Sequence, residues 1–241
     1  EDQTLSADTS GLLDSDGLGA FSYQWQRDGI TVSGATASTY ILGDADVDST
    51  ISVSVSYTDG GGNLEVVTSA DTTAVLNVND DPTLNNAISD QNATEDTAFS
   101  FTFAAGTFGD VDVGDTLTYS ATLSSGAALP AWLSFDGTSR TFSGTPLNGD
   151  VGTLTIEVTA DDGNGGTAAT DQFDLVIANS NDDPTLNNAI SDQNATEDTA
   201  FSFTFDANSF GDVDVGDTLT YSASLSSGAA LPAWLSFDGT S

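Results

Sequence analysis

The chain has 241 residues, with 37 acidic side chains against two arginines, Arg27 and Arg140, for a formal net charge of −35. Phosphate backbones and anionic bilayers are bound through Lys and Arg, so nucleic acid is excluded as a partner and an anionic membrane surface is disfavoured. Lys, His, Cys and Met are absent, which removes disulfides, thiolate metal sites and the usual general base.

Acidic chains often stay disordered, but 38% hydrophobic residues, with 13 Phe, 5 Tyr and 3 Trp, are enough to build cores. In chain order, Phe21-Ser22-Tyr23-Gln24-Trp25 alternates around a central Trp and runs into an Asp28-Gly29 turn. Ile51, Val53, Val55 and Tyr57 make a second strand, and Leu76 with Val78 leads out of the first module. Phe99, Phe101 and Phe103 alternate with small residues, followed by Leu117, Tyr119 and Ala121, then Leu154, Ile156 and Val158, then Phe173, Leu175 and Ile177. A period of two between turn residues predicts half-buried antiparallel strands. Asp59-Gly60, Asp136-Gly137 and Asp162-Gly163 stand where further hairpin turns are needed. No stretch has a helical period, and no apolar run reaches membrane-spanning length, so direct membrane insertion is not expected. No signal peptide is visible, which says little of a window expected to start inside a longer chain.

Residues 79–139 recur as 181–241 at a constant offset, with four substitutions: Ala104→Asp206, Gly106→Asn208, Thr107→Ser209 and Thr122→Ser224. A gap-free period of about 100 residues is one β-sandwich per repeat. Asn79-Asp80-Asp81-Pro82 and Asn181-Asp182-Asp183-Pro184 read as linkers, each with a proline that stiffens the connection and ends the preceding sheet edge. The expected domains are 1–79, 80–181 and 182–241. The fold class is all-β: tandem Greek-key β-sandwiches, the last cut short. Residues 182–241 lack counterparts of Arg140 to Ile177 and are expected to expose the apolar faces of Phe201–Phe205.

The run Tyr23-Gln24-Trp25-Gln26-Arg27-Asp28-Gly29 resembles bacterial immunoglobulin-like repeats of large secreted and surface proteins, starting after part of the first strand. Ala93-Thr94-Glu95-Asp96, Phe108-Gly109-Asp110-Val111-Asp112, Leu129-Pro130-Ala131-Trp132-Leu133-Ser134-Phe135, Thr141-Phe142-Ser143-Gly144-Thr145-Pro146 and Val158-Thr159-Ala160-Asp161-Asp162-Gly163 follow in order. Together they are similar to the dystroglycan-type cadherin-like domain of bacterial adhesins, and residues 182–241 are the same family cut short.

That resemblance implies Ca²⁺ at the joints between modules, where six to eight oxygens must converge. Asn79, Asp80 and Asp81 would form the first linker site, joined by Asp110 and Asp112 and by Asp161 or Asp162. At the second joint Asn181, Asp182 and Asp183 are joined by Glu95 from the module before and by Asp212 and Asp214 from the module after. The charge balance points the same way, since bound divalent cations relieve carboxylate repulsion. The acidic mid-domain motif of vertebrate cadherins is replaced by Ser143-Gly144-Thr145-Pro146, so one or two ions per joint are expected. In the first module Glu1-Asp2, Asp14-Ser15-Asp16 and Asp59 parallel Glu95-Asp96, Asp110-Val111-Asp112 and Asp162. Asp44-Ala45-Asp46-Val47-Asp48 reads either as a further ligand cluster or as the corner before a strand.

The resulting expectation is a non-enzymatic spacer of a large bacterial surface or secreted adhesin, its partners being the neighbouring repeats of the same chain. The alternative is a polysaccharide-binding module with Trp132, Trp234, Tyr119 and Tyr221 as the platform. Only paired carboxylates remain for catalysis, and no pocket is marked for them. The sequons at Asn92 and Asn194 read as incidental.

Overall fold

The structure is a computed structural model and describes residues 1–112 and 114–240. Among these, seventeen strands are formed. The first seven are β1 (Thr4–Ser6), β2 (Ser22–Arg27), β3 (Ile30–Thr31), β4 (Thr39–Ile41), β5 (Ile51–Thr58), β6 (Leu64–Thr68) and β7 (Thr83–Leu84). They are followed by β8 (Gln91–Thr94), β9 (Phe99–Thr102), β10 (Phe108–Gly109), β11 (Thr118–Leu123), β12 (Leu133–Asp136) and β13 (Thr141–Gly144). The last are β14 (Gly152–Asp161), β15 (Ala169–Ala178), β16 (Thr185–Leu186) and β17 (Phe210–Gly211). Helical structure is confined to two 3₁₀ turns, Asp44–Asp46 and Asn148–Asp150. The all-β expectation holds, and no described helix is long and apolar enough to cross a membrane.

The chain divides into two compact units: Glu1–Ala87 with Ala104–Ser120 and Val158–Asp171, and Ile88–Phe103 with Ala121–Glu157 and Gln172–Ser241. In the first unit β3-β2-β5-β6 form one sheet and β1-β4 another. The β2–β5 register places Trp25 opposite Val53 and Tyr23 opposite Val55. Trp25, Leu42, Ile51, Val53, Val55 and Val75 form the buried core. Trp25 satisfies its indole N–H on the Ala37 carbonyl at 2.9 Å, and its ring stacks on Tyr40 at 5.5 Å between centroids. Asp28 and Gly29 both take positive φ, the backbone a tight hairpin between twisted strands requires. Leu76 and Val78 do not continue as a strand. Val75 turns inward and bridges Val47, Leu76 and Val78 are exposed, and the Val78 N–H donates to the Glu1 carboxylate at 2.9 Å.

The first unit also contains β7 and β10, paired with Leu84 opposite Phe108. Asn85 and Asn86 both donate backbone N–H groups to the Thr107 carbonyl, which holds the two short strands together.

The second sandwich has the sheets β11-β14-β15-β8 and β12-β13-β9. Within the second unit β13 pairs with both β12 and β9, so that Phe142 lies opposite Phe135 on one side and Phe101 on the other. Phe142 is completely buried, with ring centroids 4.5 Å from Phe135 and 5.5 Å from Phe173. The alternating phenylalanines thus form one face of a core. One pairing departs from expectation: β8 runs parallel to β15, with Ala93 opposite Ile177. Parallel neighbours need a long crossover, and most of the module lies between them in sequence.

In residues 181–240 only β16 and β17 form, pairing Leu186 with Phe210. Phe203 and Trp234 are exposed there.

Candidate metal centres at the joints

Each linker lies inside one compact unit, so each joint can be built from its own residues. The second joint begins with Glu95, the first residue after β8. Its backbone N–H donates to the Ala178 carbonyl at 3.1 Å, and the next residue, Asp96, donates to Pro146 at 2.8 Å. Asp96 takes φ of 56°, a left-handed turn that reverses the chain and leaves the Glu95 side chain inside. That side chain is fully buried. Oε1 accepts the Ser180 N–H at 2.7 Å, while Oε2 has no hydrogen-bond donor among the described residues. Glu95, Asp182 and Asp214 each bring one carboxylate oxygen within 4.8 Å of the others.

Asp214 is positioned from the module after the linker. Its N–H donates to Asp212 Oδ1 at 3.0 Å, a turn in which the first Asp of D-x-D bonds the backbone of the second. Its Oδ2 accepts the Asp182 N–H at 2.8 Å. Asp212, Asp214 and Asp217 form a second group of oxygens within 4.8 Å, sharing Asp214 with the first.

The first joint repeats this pattern with Glu1 in place of Glu95. Glu1 is buried, Oε1 accepts from Val78 N–H, and Oε2 again lacks a described donor. Asp2 has φ of 59° and donates to Leu42 at 3.1 Å. Asp80 N–H donates to Asp112 Oδ2 at 2.8 Å, and Asp112 N–H to Asp110 Oδ1 at 3.0 Å. Asp112 Oδ1 and Asp110 Oδ2 are enclosed without a described donor. Two groups of oxygens within 4.8 Å result, Glu1–Asp44–Asp80 and Asp110–Asp112–Asp115.

Burial, and then the carboxylates of Asp44, Asp112, Asp2 and Glu1, push the Asp80 carboxyl above its ordinary value. Asp162 moves the other way, held low by the Asn164 N–H and then the Asn79 side chain. The difference is one of donors: Asp162 has two, at 2.9 and 3.0 Å, whereas the charged groups that act on Asp80 are carboxylates. Buried anions without donors are costly unless a cation neutralises them. An all-oxygen set with several carboxylates suits a hard cation such as Ca²⁺.

The other expected residues lie close by in different roles. Asp161 is exposed and turns back to the Gly163 N–H at 2.8 Å. Asp81 accepts the Thr167 N–H at 2.8 Å, tying the linker to the hairpin after β14. Asn79 bridges the Asp80 carbonyl and Asp162, both at 3.0 Å. Asn181 donates to the Asp182 carbonyl at 2.9 Å, and Asp183 is exposed.

Asp44, Asp115 and Asp217 join these groups without having been expected there; Glu1 had been noted only as a parallel of Glu95. The D-x-x-D continuation of Asp112 to Asp115 was the available signal. The alternatives for 44–48 divide by residue: Asp44 reaches the joint and Asp46 makes the corner. Asp46 is buried and accepts from Arg27 Nε at 2.7 Å, Tyr40 Oη at 3.0 Å and Gly43 N–H at 3.0 Å. That network fixes the 3₁₀ turn on which Asp44 stands. A further group, Asp14, Asp16 and Asp59, gathers at another edge of the first module, with Asp14 Oδ1 accepting the Asp16 N–H at 2.8 Å.

Solved structures similar to this chain include mouse cadherin-23 EC22-24, at 17% identity and TM-score 0.40, covering 66% of this chain and 53% of that one. Human mucin-like protocadherin EC1-2 is 16% identical with TM-score 0.37, over 66% and 85% of the two chains. The endo-fucoidan hydrolase MfFcnA4 of glycoside hydrolase family 107 is 19% identical with TM-score 0.35, over 59% of this chain and only 20% of its own. Likenesses this weak carry no inference about ligand or activity. No curated protein matches the chain. The family He_PIG, described as "Putative Ig domain", matches residues 81–178 and again 183–241. The two matches cover well over half of the sequence, and the chain belongs to this family of Ig-like domains.

Proposed function

We propose that the chain is a structural spacer segment of a large bacterial surface or secreted adhesin, whose joints bind Ca²⁺ and stiffen on binding it. The observation that carries this reading is Glu95: a fully buried carboxylate with one oxygen lacking a described donor, packed against Asp182 and Asp214. A neutralising cation there would tie residues before the linker to residues of the linker and of the module after it. At the first joint Glu1 is likewise buried with one oxygen lacking a described donor, beside Asp44 and Asp80, which supports one design used at both joints. Tandem Ig-like modules with acidic surfaces suit an extracellular role in which copies must stay soluble and apart.

Extracellular Ca²⁺ modules bind at roughly 10⁻⁴–10⁻³ M, and a tenfold excess over Kd adds roughly 1.4 kcal/mol per site. That magnitude holds a joint straight without creating a fold. Small-angle scattering of the chain with calcium and with chelator tests the idea. A larger maximum dimension and a narrower distance distribution are expected with calcium, and superimposable curves would sink it.

A further inference from the structure

The two joints share the backbone bonds around the buried glutamate, the linker aspartate and the D-x-D turn. Besides the Glu1 ammonium and the bonds from Asn79 to Asp162 and from Thr167 to Asp81 at the first, they differ at one ligand position. Each has a 3₁₀ turn whose third residue folds back on the residue before the turn: Asp46 Oδ2 accepts Gly43 N–H at 3.0 Å, and Asp150 Oδ2 accepts Leu147 N–H at 2.9 Å. Two residues before each turn a carbonyl accepts from the residue after the buried glutamate, Leu42 from Asp2 and Pro146 from Asp96, so the first residue of each turn stands beside its own joint. At the first joint that residue is Asp44, whose carboxylate joins Glu1 and Asp80. At the second it is Asn148, whose Nδ2 donates to Asp182 Oδ2 at 3.1 Å and Asp214 Oδ1 at 3.3 Å.

We propose that this position, Asp44 at the first joint and Asn148 at the second, grades the two joints, so that the first takes its divalent cation at lower concentration than the second. The inference rests on the calcium reading above. In either orientation of its amide, Asn148 brings no charge. In the orientation found, its two N–H groups sit on the carboxylates a cation would bridge, so they compete with the ion and partly replace it. The second joint is thereby less repulsive when free of metal and gains less when bound. Asp44 does the opposite at the first joint: it adds a carboxylate to a crowded group, raises the energy of the metal-free state and supplies another hard ligand. Affinity in oxygen-ligand sites follows the number of charged ligands. As calcium rises, the joints stiffen in sequence rather than together.

Both joints carry backbone N–H groups that report on their own carboxylates: Val78 and Asp80 at the first, Ser180 and Asp182 at the second. Titrating the full ¹⁵N-labelled chain with calcium follows these four amides separately. The first pair is expected to reach its midpoint at about five- to tenfold lower calcium than the second. Asp44→Asn should raise the midpoint of the first pair by a similar factor and leave the second unchanged. Asn148→Asp should lower the midpoint of the second pair and leave the first unchanged. The within-joint comparisons matter because Asp162 has no counterpart in residues 181–241. If neither substitution moves its own joint while all four amides still respond, the grading is wrong and calcium binding stands. If no amide responds well above ~1 mM calcium, cation binding fails and the grading fails with it.

Discussion

Residues 79–139 and 181–241 differ at four positions, yet the first copy forms β7 to β12 and the second only β16 and β17, the counterparts of β7 and β10. The strands that persist are those whose partners lie in the same stretch. β7 and β10 need only each other, and their register is reproduced with Thr185 opposite Gly211 as Thr83 is opposite Gly109. β9 and β12 both pair with β13, and β8 pairs with β15. Residues 181–241 contain no counterpart of β13 or β15, so Phe201–Phe205 and Leu235–Asp238 are left without ladders. Local turns survive in both copies: Leu123 N–H meets the Ala127 carbonyl at 2.9 Å, and Leu225 meets Ala229 at 2.9 Å. The comparison separates what a segment does alone from what its sheet partner imposes, and strand identity belongs to the second class.

The strongest way to break the comparison is to supply the missing partners. Appending a second copy of residues 140–178 after Ser241 should turn 201–204 into a strand. Hydrogen exchange at the Phe203 amide should fall to the level of Phe101; continued fast exchange would mean that partner absence is not the cause. The converse experiment makes the second module resemble the third. Phe142→Ala removes the ring at the centre of β13 and should cost about 3–5 kcal/mol, read by denaturant unfolding. A loss below ~1 kcal/mol would show that the aromatic cluster is not what holds the sheets together.

A third experiment sharpens the comparison at the joints. Glu95→Gln removes a buried charge that lacks a second donor, so the variant should be as stable as the parent or more so in chelator. It should also lose most of the roughly 1.4 kcal/mol that a tenfold excess of calcium over Kd confers, measured as the calcium-dependent shift in Tm. Glu197, its exposed counterpart, should give no such change when altered to Gln. The smallest effect concerns a turn. The Ser139 hydroxyl and then the Thr138 N–H hold the Asp136 carboxyl below its ordinary value. A lowered pKa in the folded state means that the turn is favoured above the unfolded value of about 3.9 and loosens as pH falls through the folded one. The Thr138 amide resonance should report that titration in the acid range, and Asp136→Asn should abolish it.

The candidate joint residues were named through a family resemblance, and the local geometry of several of them has identifiable reasons. The D-x-D pairs Asp110-Asp112 and Asp212-Asp214 close the same short turn wherever they occur, so their geometry is local. The linker aspartates Asp80 and Asp182 follow from adjacency to the two modules they join. Asp44 was harder to place because it shares an acidic run with Asp46, and only the ion pair of Asp46 with Arg27 shows which of the two faces the joint. Asp161 and Asp162 could not be told apart by sequence, since neighbours at the end of a strand point to opposite faces. The register of β14 leaves Asp161 exposed and turns Asp162 toward Asn79.

By itself the sequence determined the all-β class, through alternation with period two, and the modular array, through its repeat of residues 79–139. It determined the turns as well, because Asp-Gly and D-x-D geometries are settled within a few residues. The tertiary structure alone decided which alternating runs become strands, that β8 lies parallel to β15, and which carboxylates are buried together. Those outcomes depend on partners many residues distant, and hydrogen-bond ladders and buried charges are satisfied only by what arrives from elsewhere in the chain.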